Sequence, residues 1–172
     1  MAIRPRRSVL YLPADNERAL EKARKLPADA LILDLEDSVA PDNKPKARDM
    51  LVKVIRATGA AEKTKLWAMI ETPMGIISSR EIAACGADPE NRLVCLVLGT
   101  NDLLKESRAR ATNSRFAVVP WLAMTLVAAR AYGLDVIDGV YNDFKDETGF
   151  RAECEHGRTL GMDGKTLIHP SQ

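Results

Sequence analysis

The chain has 172 residues, 46% hydrophobic and 28% charged, which reads as an ordinary soluble globular chain of one domain, burying roughly 70% of its unfolded surface. Twenty-five Lys and Arg against 24 Asp and Glu leave a net +1, so overall charge drives the chain toward neither nucleic acid nor an anionic membrane. No apolar run approaches the ~20 residues of a membrane span, and the opening stretch Met1–Pro13 is too short in its apolar part for a secretory signal, so the chain reads as cytoplasmic or as a mature organelle-matrix protein.

In chain order, Ser8–Leu12 and Leu31–Leu35 have the size and composition of buried strands, with a helix between them capped by Asp15 or Asn16 and running to Lys25. Lys46–Ile55 reads as helix and Thr58–Lys65 as a polar connection. Leu66–Ile70 is the third strand candidate, and Thr72-Pro73 supplies a capping hydroxyl followed by proline at the first helical position. Leu93–Leu98 follows, then Arg108–Arg115, a basic loop of small residues that reads as a solvated connection within reach of an anionic ligand. Pro120 opens a helix to about Tyr132. Leu134–Ile137 and Lys165–Ile168 complete the strands. Gly86, Gly133 and Gly161 each follow a helix and precede a turn toward a strand, as left-handed helix stops do.

Strand, loop, helix, glycine, strand is the signature of parallel βα units. Six strands are too few for an eight-stranded barrel of ~250 residues, so length alone favours an open doubly wound sheet. Cys85, Cys95 and Cys154 form neither a CxxC pair nor a zinc knuckle, and read as small thiols in a reducing compartment. With His156 and His169 as the only histidines, a metal would be held by carboxylates, which suits Mg²⁺ or Mn²⁺.

Polar residues gather where the strand candidates end: Asp34, Glu36 and Asp37; Glu71; Gly99-Thr100-Asn101-Asp102; Asp138 through Asp143; and His169-Pro170. In parallel α/β proteins these carboxyl ends share one face, and that face holds the site. Each residue also has a plainer role. Asp37, Asn101 or Asp102 could cap a helix, Glu71 could be a first-turn acid, and His169 a structural loop residue. Two carboxylates on one face could hold Mg²⁺ and leave positions for water and for an α-keto or α-hydroxy acid.

RRSVLYLPADNERALEKA, LILDLEDSVAPDNKPKAR, LWAMIETPMGI, LVLGTNDLLKE and DGVYNDFKDETGFRAECEHGRTLGMDGKTLIHPSQ resemble the citrate lyase β-subunit-like and malyl-CoA lyase branch of the HpcH/HpaI aldolase family. The resemblance covers nearly the whole chain. It implies a TIM (β/α)8 barrel over residues 1–172, a homotrimer, Mg²⁺ and a CoA or acyl-carrier thioester substrate. The implied activity is carbon–carbon lyase: retro-aldol cleavage, or formation, of a 3-hydroxyacyl thioester such as malyl-, citramalyl- or citryl-CoA. The alternative is a non-catalytic thioester-binding or subunit-interaction protein that keeps the fold.

Carried over by motif, the metal ligands are Glu71 and Asp102. Glu36 and Asp37 are the catalytic acidic pair that orders metal-bound waters and basic side chains. Arg7 binds coenzyme phosphates, Gly99 and Thr100 border the keto-acid pocket, and His169 belongs to the thioester face. The sequence departs from the family in two places. Strands 3 and 4 of the barrel, with an arginine for the substrate carboxylate, have no counterpart between the LEDS and ETP motifs, and the C-terminal segment of relatives has none after Gln172.

Overall fold

The structure, a computed structural model of the chain, describes residues 7–13, 15–23, 30–34, 39–43, 45–47, 49–50, 65–112 and 114–172. The chain divides into two compact units, Ser8–Thr64 and Lys65–Gln172 with Met1–Arg7.

The first unit holds β1 (Ser8–Pro13), α1 (Glu17–Ala23) and β2 (Ala30–Asp34). The strands are parallel, in register from Val9↔Ala30 to Pro13↔Asp34, and Val9, Leu10 and Leu12 are buried. Of the two candidate caps, Asn16 is the one used: its Oδ1 accepts from the Ala19 amide at 3.0 Å. Asp15 instead accepts from the Asn43 side chain at 3.2 Å. A 3₁₀ turn at Pro41–Asn43 leads into helical residues 45–47 and 49–50, α2. There Ala47 and Val39 pack with Leu33.

The second unit carries β3 (Leu66–Ile70), α3 (Pro73–Ile77), α4 (Ser79–Ala84), β4 (Leu93–Leu98) and α5 (Thr100–Glu106). It continues with α6 (Val119–Ala131), β5 (Asp135–Asp138), α7 (Glu147–Leu160) and β6 (Gly164–Leu167). β3 pairs with β4, β4 with β5 and β5 with β6, all parallel. Each strand therefore lies beside the next in sequence, and the winding never reverses within this unit. The reversal that a doubly wound sheet requires between its halves does not occur among these four strands.

The predicted caps account for the helix positions. Thr72 Oγ1 accepts from the Gly75 amide at 3.0 Å, with Pro73 opening α3. Gly133 at φ +71° and Gly161 at φ +102° turn the chain out of α6 and α7 in the left-handed region. Gly86 does not. It sits in a 3₁₀ turn, Cys85–Ala87, and is small for another reason: a Cβ there would fall 2.6 Å from Leu134 Cδ2. One apolar cluster joins Ile70, Leu96, Leu98 and Val136 of the sheet to Leu103, Leu122, Ala129 and Leu134. Burying a Leu, Ile or Val contributes about 1.5–3 kcal/mol, so this cluster fixes the sheet from which the site residues project. No described helix is long and apolar enough to cross a membrane.

Candidate active site at the carboxyl ends of the strands

Glu71 leaves the sheet directly after β3, and Gly99 directly after β4; the Gly99 amide donates to the Ile70 carbonyl at 3.0 Å. A Cβ on Gly99 would lie 2.5 Å from Glu71 Cβ and 2.9 Å from Glu71 Oε2. Position 99 is thus a floor on which the Glu71 side chain rests. Thr72, not Glu71, caps α3, so the plainer first-turn reading of Glu71 does not hold. Gly99 itself precedes α5 as its N-cap, which places Asn101 and half-buried Asp102 inside the first turn rather than at the cap. Thr100 is 8% exposed. Its hydroxyl would lie 2.3 Å from a Cβ on Gly139, the residue that follows β5.

The donors suit a hard cation. Mg²⁺ is commonly held by one or two carboxylates with waters and substrate oxygens completing an octahedron; Glu71 directly follows β3, and Asp102 stands in the first turn of the helix after β4. The missing side chain at Gly99 leaves room for the Glu71 carboxylate. No three His, Cys, Asp or Glu gather into a metal centre among the described residues.

Beside this edge lies a buried charge network that the sequence reading missed. Asp138, 1% exposed, receives a fork from Arg115: Nη2 to Oδ1 at 2.6 Å and Nη1 to Oδ2 at 2.9 Å. Arg115 Nε reaches Glu153 Oε2 at 3.3 Å. Lys165, 4% exposed, donates to Glu153, to Asp138 Oδ2 at 3.4 Å and to the Gly139 carbonyl at 2.5 Å. Arg115 Nη1 also lies 3.3 Å from His156 Nδ1. The expectation of a solvated Arg108–Arg115 loop is corrected at its last residue, whose side chain is 9% exposed. A signal was available: lysine is almost never buried unless paired, and Lys165 stands inside a run read as a buried strand.

A cavity of about 710 Å³ opens above the network, walled by Arg110, Arg115, Tyr141, Glu153 and His156, with Asn101 and Asn142 among its lining residues. The two asparagines exchange reciprocal amide hydrogen bonds at 2.9 and 3.1 Å. The Tyr141 hydroxyl donates to Asp146 at 2.7 Å, and that acceptor carboxylate holds the phenol up to about 12. Asp146 is held below the usual carboxylate range, first by the Gly149 amide and then by Tyr141.

His169 is exposed after β6, stacked on Phe144 with centroids 4.5 Å apart, its Nδ1 2.7 Å from Ser171 Oγ. Arg7 is exposed just before β1, at the amino end of that strand. Glu36 and Asp37 lie outside the described residues. Of the expected residues, then, the structure brings Glu71, Gly99 and Thr100 into one contiguous edge, with Asp102 in the first turn of the adjoining helix. Of the thiols, Cys95 is buried and Cys85 exposed, and burial pushes the half-buried Cys154 thiol up.

The profile of the family described as HpcH/HpaI aldolase/citrate lyase matches this chain in two segments, residues 7–64 and 53–170. A (3S)-malyl-CoA thioesterase of Cereibacter sphaeroides is 44% identical over 217 aligned positions, covering 98% of this chain and 74% of that protein. The alignment is longer than the chain, so part of the relative has no counterpart here. An L-malyl-CoA/beta-methylmalyl-CoA lyase of the same species is 28% identical over 98% of this chain and 77% of that protein. Among solved structures, protein CitE of Mycobacterium tuberculosis in complex with magnesium, acetoacetate and coenzyme A superposes with a TM-score of 0.79 at 27% identity, covering 98% of this chain and 78% of that chain.

These relatives correct the expected carbon–carbon lyase activity. Thioesterases, which are hydrolases, match at 43% and 44%, whereas the lyase stands at 28%. The physical reason lies in what the motifs encode. A malyl thioester offers two bonds for cleavage, and the residues that grip its oxygens serve either reaction, so the gripping motifs do not tell which bond breaks.

Proposed function

The chain belongs to the HpcH/HpaI aldolase/citrate lyase family, and from that premise we propose that it is an Mg²⁺-assisted hydrolase of a CoA thioester of the (3S)-malyl type. The observation that carries this reading is the 44% identity to a (3S)-malyl-CoA thioesterase over 98% of the chain. The seating of Glu71 on Gly99 supports the metal assignment.

In the proposed reaction, water adds to the thioester carbonyl, the carbon–sulfur bond breaks, and the thiolate of CoA leaves and takes up a proton. Glu71 and Asp102 hold the metal, whose chemistry when bound is to polarise substrate oxygens and make a coordinated water more acidic. Gly99 and Thr100 present backbone, with no bulky side chain, to the acid end of the substrate. Glu36 and Asp37 order water and basic side chains behind it. Arg7 takes a coenzyme phosphate. His169, its ring fixed by Phe144 and Ser171, lines the thioester side. Consecutively paired parallel strands and the likeness to CitE support a TIM (β/α)8 domain over residues 1–172 that lacks the family's strands 3 and 4. The family resemblance of the sequence motifs implies a homotrimer.

The test is direct. The full chain is incubated with (3S)-malyl-CoA and Mg²⁺, and free thiol, malate, glyoxylate and acetyl-CoA are measured separately. One malate per thiol, with no glyoxylate, supports hydrolysis. Absence of thiol release from this and related 3-hydroxyacyl thioesters refutes it.

A further inference from the structure

The charge network touches the peptide that borders the candidate metal edge. Gly139 is held on both sides: its amide donates to Asp138 Oδ1 at 2.8 Å, and its carbonyl accepts from Lys165 Nζ at 2.5 Å. The Asp138 carbonyl accepts from Thr166 Oγ1 at 2.9 Å. Gly139 has no slack toward Thr100, since a Cβ would meet Thr100 Oγ1 at 2.3 Å, Cγ2 at 2.8 Å and the Leu98 carbonyl at 3.0 Å. Thr100 follows Gly99, on which Glu71 rests. In a close-packed interior, a displacement at one end of such a series is felt at the other.

Stability alone is a weak reason for the network. Two cations and two carboxylates in an apolar setting contribute little that apolar residues of the same volume would not. What they add is direction. The Arg115 fork fixes both oxygens of Asp138 in one plane, which a point charge cannot do. Arg115 accepts a left-handed backbone, φ +55°, to deliver it.

We propose that Arg115 and Lys165 are positioning residues: through Asp138 they press the Asp138–Gly139 backbone against Thr100, and Thr100 with Gly99 in turn seats Glu71 for the cation. The proposal rests on the assignment of Mg²⁺ to Glu71 and Asp102.

Calorimetric titration of the full chain with MgCl₂ tests it without any turnover. Arg115→Lys keeps the charge and loses the fork; its Mg²⁺ affinity falls by roughly 10-fold, as when a ligand's supporting partner is removed. The second variant, Glu153→Gln with Lys165→Met, removes one charge of each sign and decides the matter should Arg115→Lys fail to fold. It releases the Gly139 carbonyl and gives the same loss. A merely structural network lowers the melting temperature of both variants but leaves the Mg²⁺ affinity of the folded protein alone, and that result overturns the proposal. Wild-type protein that binds no Mg²⁺ overturns it as well. Wild type that binds Mg²⁺ but releases no thiol from malyl-CoA sinks the hydrolase reading and leaves the positioning role standing.

Discussion

Gly99→Ala adds one methyl group between the end of β4 and the Glu71 side chain. The Cβ would sit 2.5 Å from Glu71 Cβ, 2.9 Å from Oε2 and 3.4 Å from Cα. Non-bonded carbons settle at about 3.5–4.0 Å, so the first contact must open by about 1 Å. A new rotamer relieves Oε2 but not Cβ, which is one bond from the backbone. The backbone must move instead, against the Gly99–Ile70 hydrogen bond of 3.0 Å. Overpacking of this kind costs about 1–3 kcal/mol; at about 2 kcal/mol the melting temperature of a chain this size drops by roughly 4–8 °C.

The larger effect is on the site. A misplacement near 1 Å costs on the order of 10²-fold in a catalytic constellation, and a loss of about that size in Mg²⁺ affinity is expected. Melting curves with and without MgCl₂, together with titration calorimetry, read both quantities. Gly133→Ala is the control, because the two glycines fail in opposite ways. Gly133 has φ +71° and no atom within 4 Å of an added Cβ, so alanine there costs about 1–2 kcal/mol of backbone strain and leaves Mg²⁺ binding alone. A folded Gly99→Ala protein that binds Mg²⁺ like wild type would refute the seating of Glu71 on Gly99.

Tyr141 ionises near pH 12 rather than about 10, and Asp146→Asn returns it toward 10 in a titration followed at 295 nm; an unchanged midpoint contradicts the assigned hydrogen bond. Because the phenol is raised and Asp146 lowered in the folded state, the stability they contribute is full between about pH 4 and 10. It is lost above that window as the phenol ionises, and below it as the carboxyl takes a proton. Asp138→Asn leaves Arg115 and Lys165 sharing Glu153 alone and costs about 3–5 kcal/mol in urea denaturation; a loss under about 1 kcal/mol tells against the buried network. Thr125 is fully buried in α6, and its hydroxyl has no partner among the described residues. Thr125→Val therefore gains about 1 kcal/mol, and a destabilised valine variant shows that the hydroxyl is satisfied.

The strands were legible because each is a short apolar run bounded by a turn: Leu66–Ile70 and Leu93–Leu98 match the observed elements residue for residue. The helix starts at Thr72-Pro73 and the stops at Gly133 and Gly161 follow from local chemistry, and so were readable too. Gly86 was misread because its smallness answers to Leu134, a contact 48 positions along the chain that no local pattern reports. The Arg115 fork was invisible for the same reason, since it closes on a carboxylate 23 residues away. Glu71, Gly99 and Asp102 could be placed after strand ends because a parallel sheet brings successive ends to one edge, whereas their roles come from the family resemblance alone. The identity of the broken bond could not, since the motifs describe how a substrate is held.

The consecutive pairing of strands bears on how such a chain can change length. Between β3 and β6 each strand pairs with the next one in sequence, so the ladders β3–β4, β4–β5 and β5–β6 are all closed within Lys65–Gln172. The stretch of the thioesterase without a counterpart here can therefore be absent while Glu71, Thr100, Asp138 and Lys165 keep their mutual register. The family profile matches residues 53–170 as a segment of their own.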